Sequence, residues 1–216
     1  IYPEPWLEGP VQPLVRKLVS QQIEFVCVLK EDVKNVRLQK RRQQNKKLKG
    51  KGIAATKLCI YAGTNGYDSI IHFSDADREQ GTKNSPNESE KRFKKVYSEI
   101  IEGVMYEDQI VYIPMVALKM IESWLLSDEG AFERCFGQSP ESPQLPKKPE
   151  LIWGKKEDPQ SDYPKNYLKR VLAQFKAVDC RETYFDIANA MDVDLVKERC
   201  SISFRRFYED IKKKLY

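Results

Sequence analysis

Strand-like and helix-like segments alternate through the first 136 residues, and this alternation constrains the fold more than any other feature of the sequence. Apolar or β-branched stretches predict strands at 1–8, 23–29, 67–74 and 109–113. Apolar residues at helical spacing predict helices between and after them, at 11–19, 54–62, 88–103 and 115–127. Such an alternation is typical of a mainly parallel sheet with helices on both faces. We therefore expect an α/β fold.

The chain changes character after Phe136, where six prolines interrupt short apolar runs between positions 140 and 164. Helical patterns return at 166–175, 187–191 and 202–215. We therefore expect residues 1–136 to form the α/β core, with a basic insertion at 31–57. Residues 137–216 are expected to form an irregular extension rich in proline and lysine, followed by helices that pack on the core.

The composition excludes several kinds of site. The 216 residues include one histidine, His72, which rules out a zinc site built on two imidazoles. Five cysteines without a C-x-x-C pair predict reduced, mostly buried thiols. No apolar run is long enough to span a bilayer and no signal segment opens the chain, so we expect a soluble, cytoplasmic protein. Any chemistry must then rest on carboxylates, lysines and arginines.

Positive charge is concentrated in one stretch of the sequence. The chain has 37 basic and 32 acidic side chains, yet ten of the basic residues and no acidic ones lie between Lys34 and Lys57. This density is typical of contacts with a phosphate backbone. The nucleic-acid-binding candidates are Lys40, Arg41, Arg42, Lys46 and Lys47. A solvated helix face or loop is the alternative, and the stretch has no aromatic residue for base stacking.

Two aspartates follow the predicted strand at 67–74. Asp75 and Asp77 are two residues apart, so in a continuing strand their side chains project to the same side, with Cα atoms about 6–7 Å apart. Two carboxylates this close repel each other unless a cation lies between them. Ligands bind at the carboxyl ends of strands in open α/β sheets. The pair therefore predicts either a magnesium site or simply the start of a solvated loop.

Three other residues bear on this site. Glu8 ends the predicted first strand, and a glutamate after one strand with a D-x-D pair after another is the carboxylate set of a TOPRIM site. Glu122 has mainly apolar neighbours in the predicted helix at 115–127, so it either reaches solvent or has a cation, a lysine or a backbone donor beside it. His72 falls inside a strand, where a hydrogen-bonded core histidine is commoner than a base.

Five segments of the chain resemble a known family, and they are Leu7–Pro10, Ile70–Arg78, Ile113–Asp128, Lys148–Trp153 and Cys200–Phe207. The strings I-E-S-W-L-L-S-D and P-E-L-I-W are the most specific of them. Together, in order and over nearly the whole chain, they resemble the prokaryotic TOPRIM-like family known as domain of unknown function 4276. Its members resemble the TOPRIM half of the overcoming-lysogenization-defect nucleases, and commonly accompany an ABC- or SMC-type ATPase in phage-defence islands.

This resemblance implies an enzyme with a TOPRIM-like sheet, a nuclease that cleaves DNA or RNA with Mg²⁺ or Mn²⁺. It implies metal ligands at Glu8, Asp75 and Asp77, and a further catalytic carboxylate at Glu122. It also implies the effector of an anti-phage defence system that works with an ATPase subunit, and it leaves a homo-oligomer open. One departure from the family is Gln12, where an acidic residue is often found.

Two other activities are compatible with these residues. The main alternative is a non-catalytic TOPRIM-like partner or sensor that docks an ATPase; loss of a metal carboxylate would favour it, and all three are present in the sequence. A nucleotidyl transferase is the second, although no Walker lysine loop supports it. If the protein is a nuclease, Glu8 is either a further metal ligand or a general acid/base. The lysines considered for phosphate contact are Lys155, Lys156 and Lys165.

Overall fold

Two parallel strands form the centre of the molecule. The computed structural model describes residues 9–19, 22–38, 48, 50–76, 86–104 and 110–215. In it β1 (Ser69–Asp75) pairs with β2 (Val111–Ala117), and the register places Ser69 beside Val111 and Asp75 beside Ala117. A helix connects the two strands, as parallel pairing requires. The expected α/β class is therefore confirmed, as a parallel pair of strands flanked by helices.

Helices precede, connect and follow the two strands. In chain order they are α1 (Val11–Leu18), α2 (Lys30–Lys34), α3 (Lys51–Asn65), α4 (Pro86–Gly103), α5 (Glu122–Leu125), α6 (Glu129–Phe136), α7 (Pro164–Gln174), α8 (Arg181–Ala190), α9 (Val193–Arg199) and α10 (Ser203–Lys214). A short 3₁₀ turn spans Pro149–Leu151. Helix α3 ends where Gly66 adopts a left-handed conformation, with φ of 72°, which turns the chain into β1.

The strand pair separates two hydrophobic clusters. Side chains of β2 alternate between them: Ile113 and Met115 belong to the first, and Tyr112 and Val116 to the second. The second cluster lies between the strands and helices α3 and α4. The first, larger cluster combines α1 with the helices that follow β2, and α10 packs directly on β2. Strand β2 is therefore covered on both faces, which explains its continuous apolar sequence.

The expected strand at 23–29 is wrong. This segment is irregular in the structure, and the side chains of Val26 and Leu29 are 52% and 54% exposed. Within the described part of the chain β1 pairs with β2 alone, so residues 23–29 have no strand neighbour to take up their backbone hydrogen bonds. Phe25 instead lies beneath the Arg16 guanidinium, 4.7 Å from its ring centroid. β-Branched residues favour a strand only where a neighbouring strand is available to pair with, and residues 23–29 have none in the described part of the chain.

The expected helix at 115–127 is wrong in its first half. Strand β2 continues through Pro114, which pairs with His72, and ends only at Ala117. Proline is tolerated there because β2 has a strand neighbour on one side only, within the described residues. A short apolar run does not distinguish a buried strand from a buried helix, so the sequence pattern alone predicted the wrong element.

Helices after Phe136 agree better with the sequence pattern. The predicted segments at 166–175, 187–191 and 202–215 correspond to α7, α8 and α10, while α9 was not anticipated. Residues 137–163 are irregular apart from the 3₁₀ turn, as expected. Leu168, Ile187 and Phe204 join the first hydrophobic cluster together with Leu14 of α1, so the extension shares a core with residues near the start of the chain.

The helix lengths and the cysteine positions bear on two expectations from the composition. In the described part of the chain, every helix is too short or too polar to cross a membrane. The five cysteines are free thiols, but only Cys59 and Cys200 are buried, and Cys27 is exposed. The expectation of mostly buried thiols is therefore wrong for Cys27, which lies in the irregular segment at 23–29.

Candidate active site at the carboxyl edge of the strands

Asp75 is the last residue of β1 and lies at the carboxyl edge of the strand pair. Its register partner is Ala117, the last residue of β2, and the Ala76 backbone N–H donates to the Ala117 carbonyl at 2.8 Å. Alternation along β1 places Asp75 on the same face as Ile71, which packs against the first hydrophobic cluster. The predicted site residue thus stands, partly buried, where the parallel strands end.

Lys119 follows β2 by two residues and was not identified from the sequence. Its side chain is only 2% exposed, and its ammonium nitrogen lies 4.9 Å from the centroid of the Trp153 ring. Burial of a lysine is costly unless other groups replace its hydration. A signal for it was present, because Lys119 is the only charged residue between Val111 and Ile121 in a long apolar run. The carboxyl edge therefore carries a buried cation as well as carboxylates.

Glu122 is the first residue of α5 and is 7% exposed. Of the two arrangements that the sequence leaves open for Glu122, the buried one is observed, although α5 starts at Glu122 and does not include Leu118. The negative charge of Glu122 contributes to raising the pKa of Tyr184, after burial of the phenol and its hydrogen bond to Asp179. Glu122 therefore lies close enough to α8 to act electrostatically on it.

Glu122 begins a helix that packs in the first hydrophobic cluster, on the strand face to which Asp75 belongs. The residues that follow Glu122 in α5, Trp124 and Leu125, belong to the first hydrophobic cluster, which Ile71 contacts on the face of Asp75. Helix α1 is also part of that cluster, and Gly9, just before it, is buried. The register places Asp75 level with the end of β2, and Lys119 and Glu122 follow that end by two and five residues.

Several predicted site residues lie outside the described residues. They are Glu8, Asp77, Lys40, Arg41, Arg42, Lys46 and Lys47. Within the part of the chain that the structure describes, histidine, cysteine, aspartate and glutamate side chains do not form a group of three that could hold a metal ion. Asp75 and Glu122 thus supply only part of the carboxylate set that the sequence predicts.

His72 lies in β1 as a buried, hydrogen-bonded side chain, in agreement with the sequence interpretation. Its Nδ1 is 2.6 Å from the hydroxyl oxygen of Tyr112 on the neighbouring strand. Burial, with a smaller contribution from the charge of Lys51, lowers the pKa of His72 to about 4. The imidazole is therefore neutral at neutral pH and belongs to the face opposite Asp75.

Packing contacts explain the most specific sequence segments. Trp124 is fully buried, and its Nε1–H donates to the Ser203 hydroxyl at 2.9 Å. The Glu150 carboxylate accepts hydrogen bonds from the Ser203 backbone N–H and hydroxyl. Asp128 accepts from the Arg134 guanidinium at 2.8 Å. Trp124 and Glu150 thus tie the I-E-S-W-L-L-S-D and P-E-L-I-W strings to Ser203 at the start of α10. Most of these contacts are structural, and Glu122 is the residue of the first string that remains a candidate for the site.

The lysines considered for phosphate contact are all solvent-exposed. Lys155 and Lys156 lie in the irregular loop after Trp153, and Lys165 lies in the first turn of α7. Trp153 itself packs edge-on against Tyr163, with ring centroids 5.1 Å apart, which agrees with the expected packing role. None of the three lysines has the buried position that Lys119 has at the strand ends.

Comparison with known proteins gives a family but no individual relative. A family model described as a domain of unknown function (DUF4276) matches residues 8–212. No curated protein and no solved structure matches the chain.

Proposed function

We propose, from the premise that this chain belongs to the DUF4276 family, that it is a metal-dependent nuclease. The match over residues 8–212 confirms the family expected from the sequence and assigns no activity. We further propose that β1 and β2 belong to a larger TOPRIM-like sheet. The observation that carries the proposal is that Asp75 ends β1 in register with Ala117, the last residue of β2, and that buried Lys119 and Glu122 lie two and five residues further along the chain.

The donor chemistry at this edge fits a magnesium or manganese ion. Carboxylate oxygens are the ligands these hard cations prefer. Asp75 is a carboxylate at a strand end, and we propose that Asp77, the second residue after it, and Glu8 complete the set. When bound, a divalent ion supplies an activated water and compensates the charge that develops on a phosphate. Glu122 would act as a further carboxylate beside that set.

We propose that Lys119, a buried cation two residues after the end of β2, contacts the substrate phosphate. An ammonium that is buried at the strand ends is weakly screened, so its attraction for a phosphate oxygen is stronger than that of an exposed lysine. It is held in a fixed environment and needs little reorganisation when charge develops on the phosphate. We therefore assign phosphate contact to Lys119 in preference to the exposed Lys155, Lys156 and Lys165.

We also propose a nucleic-acid contact and a protein partner for this chain. The basic stretch that contains Lys40, Arg41, Arg42, Lys46 and Lys47 would hold the phosphate backbone without reading sequence. The protein would act in the cytoplasm, as the effector of a prokaryotic anti-phage system with an ABC- or SMC-type ATPase. Support for these points comes from the charge distribution of the sequence and from the family resemblance described above.

A nuclease assay with metal omitted and restored tests the proposal. Purified protein, alone and with its neighbouring ATPase, is incubated with a mixture of DNA and RNA in EDTA, Mg²⁺ or Mn²⁺. We expect cleavage only with metal, and loss of cleavage in Asp75→Asn and Asp77→Asn. Absence of cleavage under all conditions, with a cellular phenotype that survives Asp75→Ala and Asp77→Ala, would refute the nuclease and favour a non-catalytic ATPase-docking subunit.

A further inference from the structure

Trp153 connects the buried lysine at the strand ends to a separate loop. One side of its indole meets the Lys119 ammonium, 4.9 Å from the ring centroid. Tyr163 packs against the same indole in an edge-to-face arrangement, with centroids 5.1 Å apart. Trp153 comes from the P-E-L-I-W string, far in sequence from β2. The contact with Lys119 therefore fixes two distant segments relative to each other.

The loop between Trp153 and Tyr163 is held by side chains of α7. The Asn166 amide donates to the carbonyls of Lys156 and Asp158 at 3.0 and 2.8 Å. The Arg170 guanidinium donates to the carbonyls of Pro159 and Ser161 at 2.9 and 2.6 Å. With the Lys155 carbonyl, which Asn166 also reaches, five carbonyls of one irregular loop are bonded from a regular helix. A loop anchored in this way presents its ends in one conformation.

Gly154 shows how closely the two ends of this loop approach. A Cβ atom at position 154 would lie 2.6 Å from the Ser161 Cβ and 2.7 Å from the Tyr163 backbone nitrogen. Glycine is therefore required where the chain leaves Trp153. Trp153 and Tyr163 are brought together by this close approach, so the indole has little freedom to leave the Lys119 ammonium.

We propose that Trp153 is the positioning residue of Lys119. This inference rests on the proposed nuclease function, in which Lys119 contacts the phosphate. An ammonium over an indole face is attracted by the ring quadrupole, and the attraction is greater when the ammonium is removed from water, as that of Lys119 is. The ring thereby replaces part of the lost hydration and restricts the lysine to one conformation before substrate binds. The Lys119 ammonium is then already held in its catalytic position in the free protein.

The first test needs neither metal nor substrate. Limiting acetylation of the free protein is followed by mass spectrometry of the peptide that contains Lys119. We expect Lys119 in the wild type to react much more slowly than exposed Lys155, and Trp153→Leu to raise the Lys119 rate roughly tenfold. Trp153→Phe keeps an aromatic face and should stay within about threefold of the wild type. An unchanged Lys119 rate in folded Trp153→Leu would overturn the proposal.

A second variant covers the case in which Trp153→Leu fails to fold. Asn166→Ala removes the hydrogen bonds to three loop carbonyls without changing Trp153. We expect it to raise the Lys119 acetylation rate by a smaller factor than Trp153→Leu does. Tyr208→Leu is the matched control, because it removes an aromatic ring whose centroid lies 4.2 Å from the ammonium of a different lysine, Lys197. It should leave the reactivity of Lys119 unchanged; an equal increase in this control would overturn the proposal.

Cleavage kinetics separate this inference from the nuclease assignment. In a protein that cleaves, Trp153→Leu should lower kcat roughly tenfold with little change in KM, and Trp153→Phe should restore most of the rate. If acetylation responds as expected but the wild type cleaves nothing, the positioning of Lys119 holds and the nuclease fails. If the wild type cleaves while acetylation and kcat of Trp153→Leu are unchanged, the positioning role alone is refuted.

Discussion

Glu150 and Glu122 are both buried glutamates in the most specific sequence segments, yet their surroundings differ. Glu150 accepts backbone hydrogen bonds from Ile202 and Ser203 at 3.0 and 2.9 Å, so its charge faces the amino end of α10. Glu122 begins α5, five residues after the end of β2 and three residues after Lys119. Burial of an acid therefore does not identify a functional site. The groups that surround the carboxylate decide between a structural and a chemical role.

Loss of the Glu150 carboxylate should have the largest effect on stability. Glu150→Ala removes the acceptor for several buried donors at the start of α10 and leaves them unsatisfied. We expect the free energy of unfolding to fall by about 3–5 kcal/mol, measured by urea denaturation. Cleavage per folded molecule should remain unchanged. A folded Glu150→Ala protein that has lost cleavage would show that Glu150 takes part in the chemistry and would break the comparison.

Protonation of His72 should have the next largest effect, on stability alone. The pKa of His72 is lowered to about 4, so the unfolded chain binds a proton below about pH 6.5 that the folded protein does not. We expect this group to cost roughly 3 kcal/mol of the unfolding free energy as pH falls from 6.5 to 4. Comparison with His72→Asn by urea denaturation at several pH values isolates this contribution. Equal pH dependence of the two proteins would contradict it.

Substitution of Glu122 should affect cleavage with little effect on stability. Glu122→Gln keeps the shape of the side chain and removes its charge. We expect the cleavage rate to fall by about a hundredfold and the free energy of unfolding to change by less than about 1 kcal/mol. Glu150→Gln is the matched control and should show the reverse pattern. If Glu122→Gln instead unfolds the protein and retains cleavage per folded molecule, the two glutamates have the same structural role.

A strand or helix can be predicted from local sequence when turn or stop signals mark both of its ends. Strand β1 is preceded by Gly66 in a left-handed turn and contains the β-branched and aromatic residues Ile70, Ile71 and Phe73, so both the strand and the position of Asp75 at its end could be predicted. The limit of β2 could not, because its apolar run continues through Pro114 without a local stop signal. Residues 23–29 have strand-like composition, but pairing depends on a neighbour that local sequence does not specify.

The candidate site was predictable to the extent that its residues carry local signals. The apolar neighbours of Glu122 left two possibilities, a side chain that reaches solvent and a buried one beside a partner, and the structure shows the buried one. A lysine in an apolar run also gave a signal at Lys119, but its contact with Trp153 joins segments that only the tertiary fold brings together. The donors around Glu150 come from residues 202–204, so the sequence could not distinguish its structural role from that of a site carboxylate.

Binding of a divalent metal tests the central claim most directly. Titration of the full chain with Mn²⁺, followed by electron paramagnetic resonance of the free ion, compares the wild type with Asp75→Asn and the control Glu150→Gln. We expect the wild type and Glu150→Gln to bind Mn²⁺ alike, and Asp75→Asn to bind at least about a hundredfold more weakly. Mn²⁺ binding by Asp75→Asn as tight as that of the wild type would contradict a metal site at the carboxyl edge of the strands.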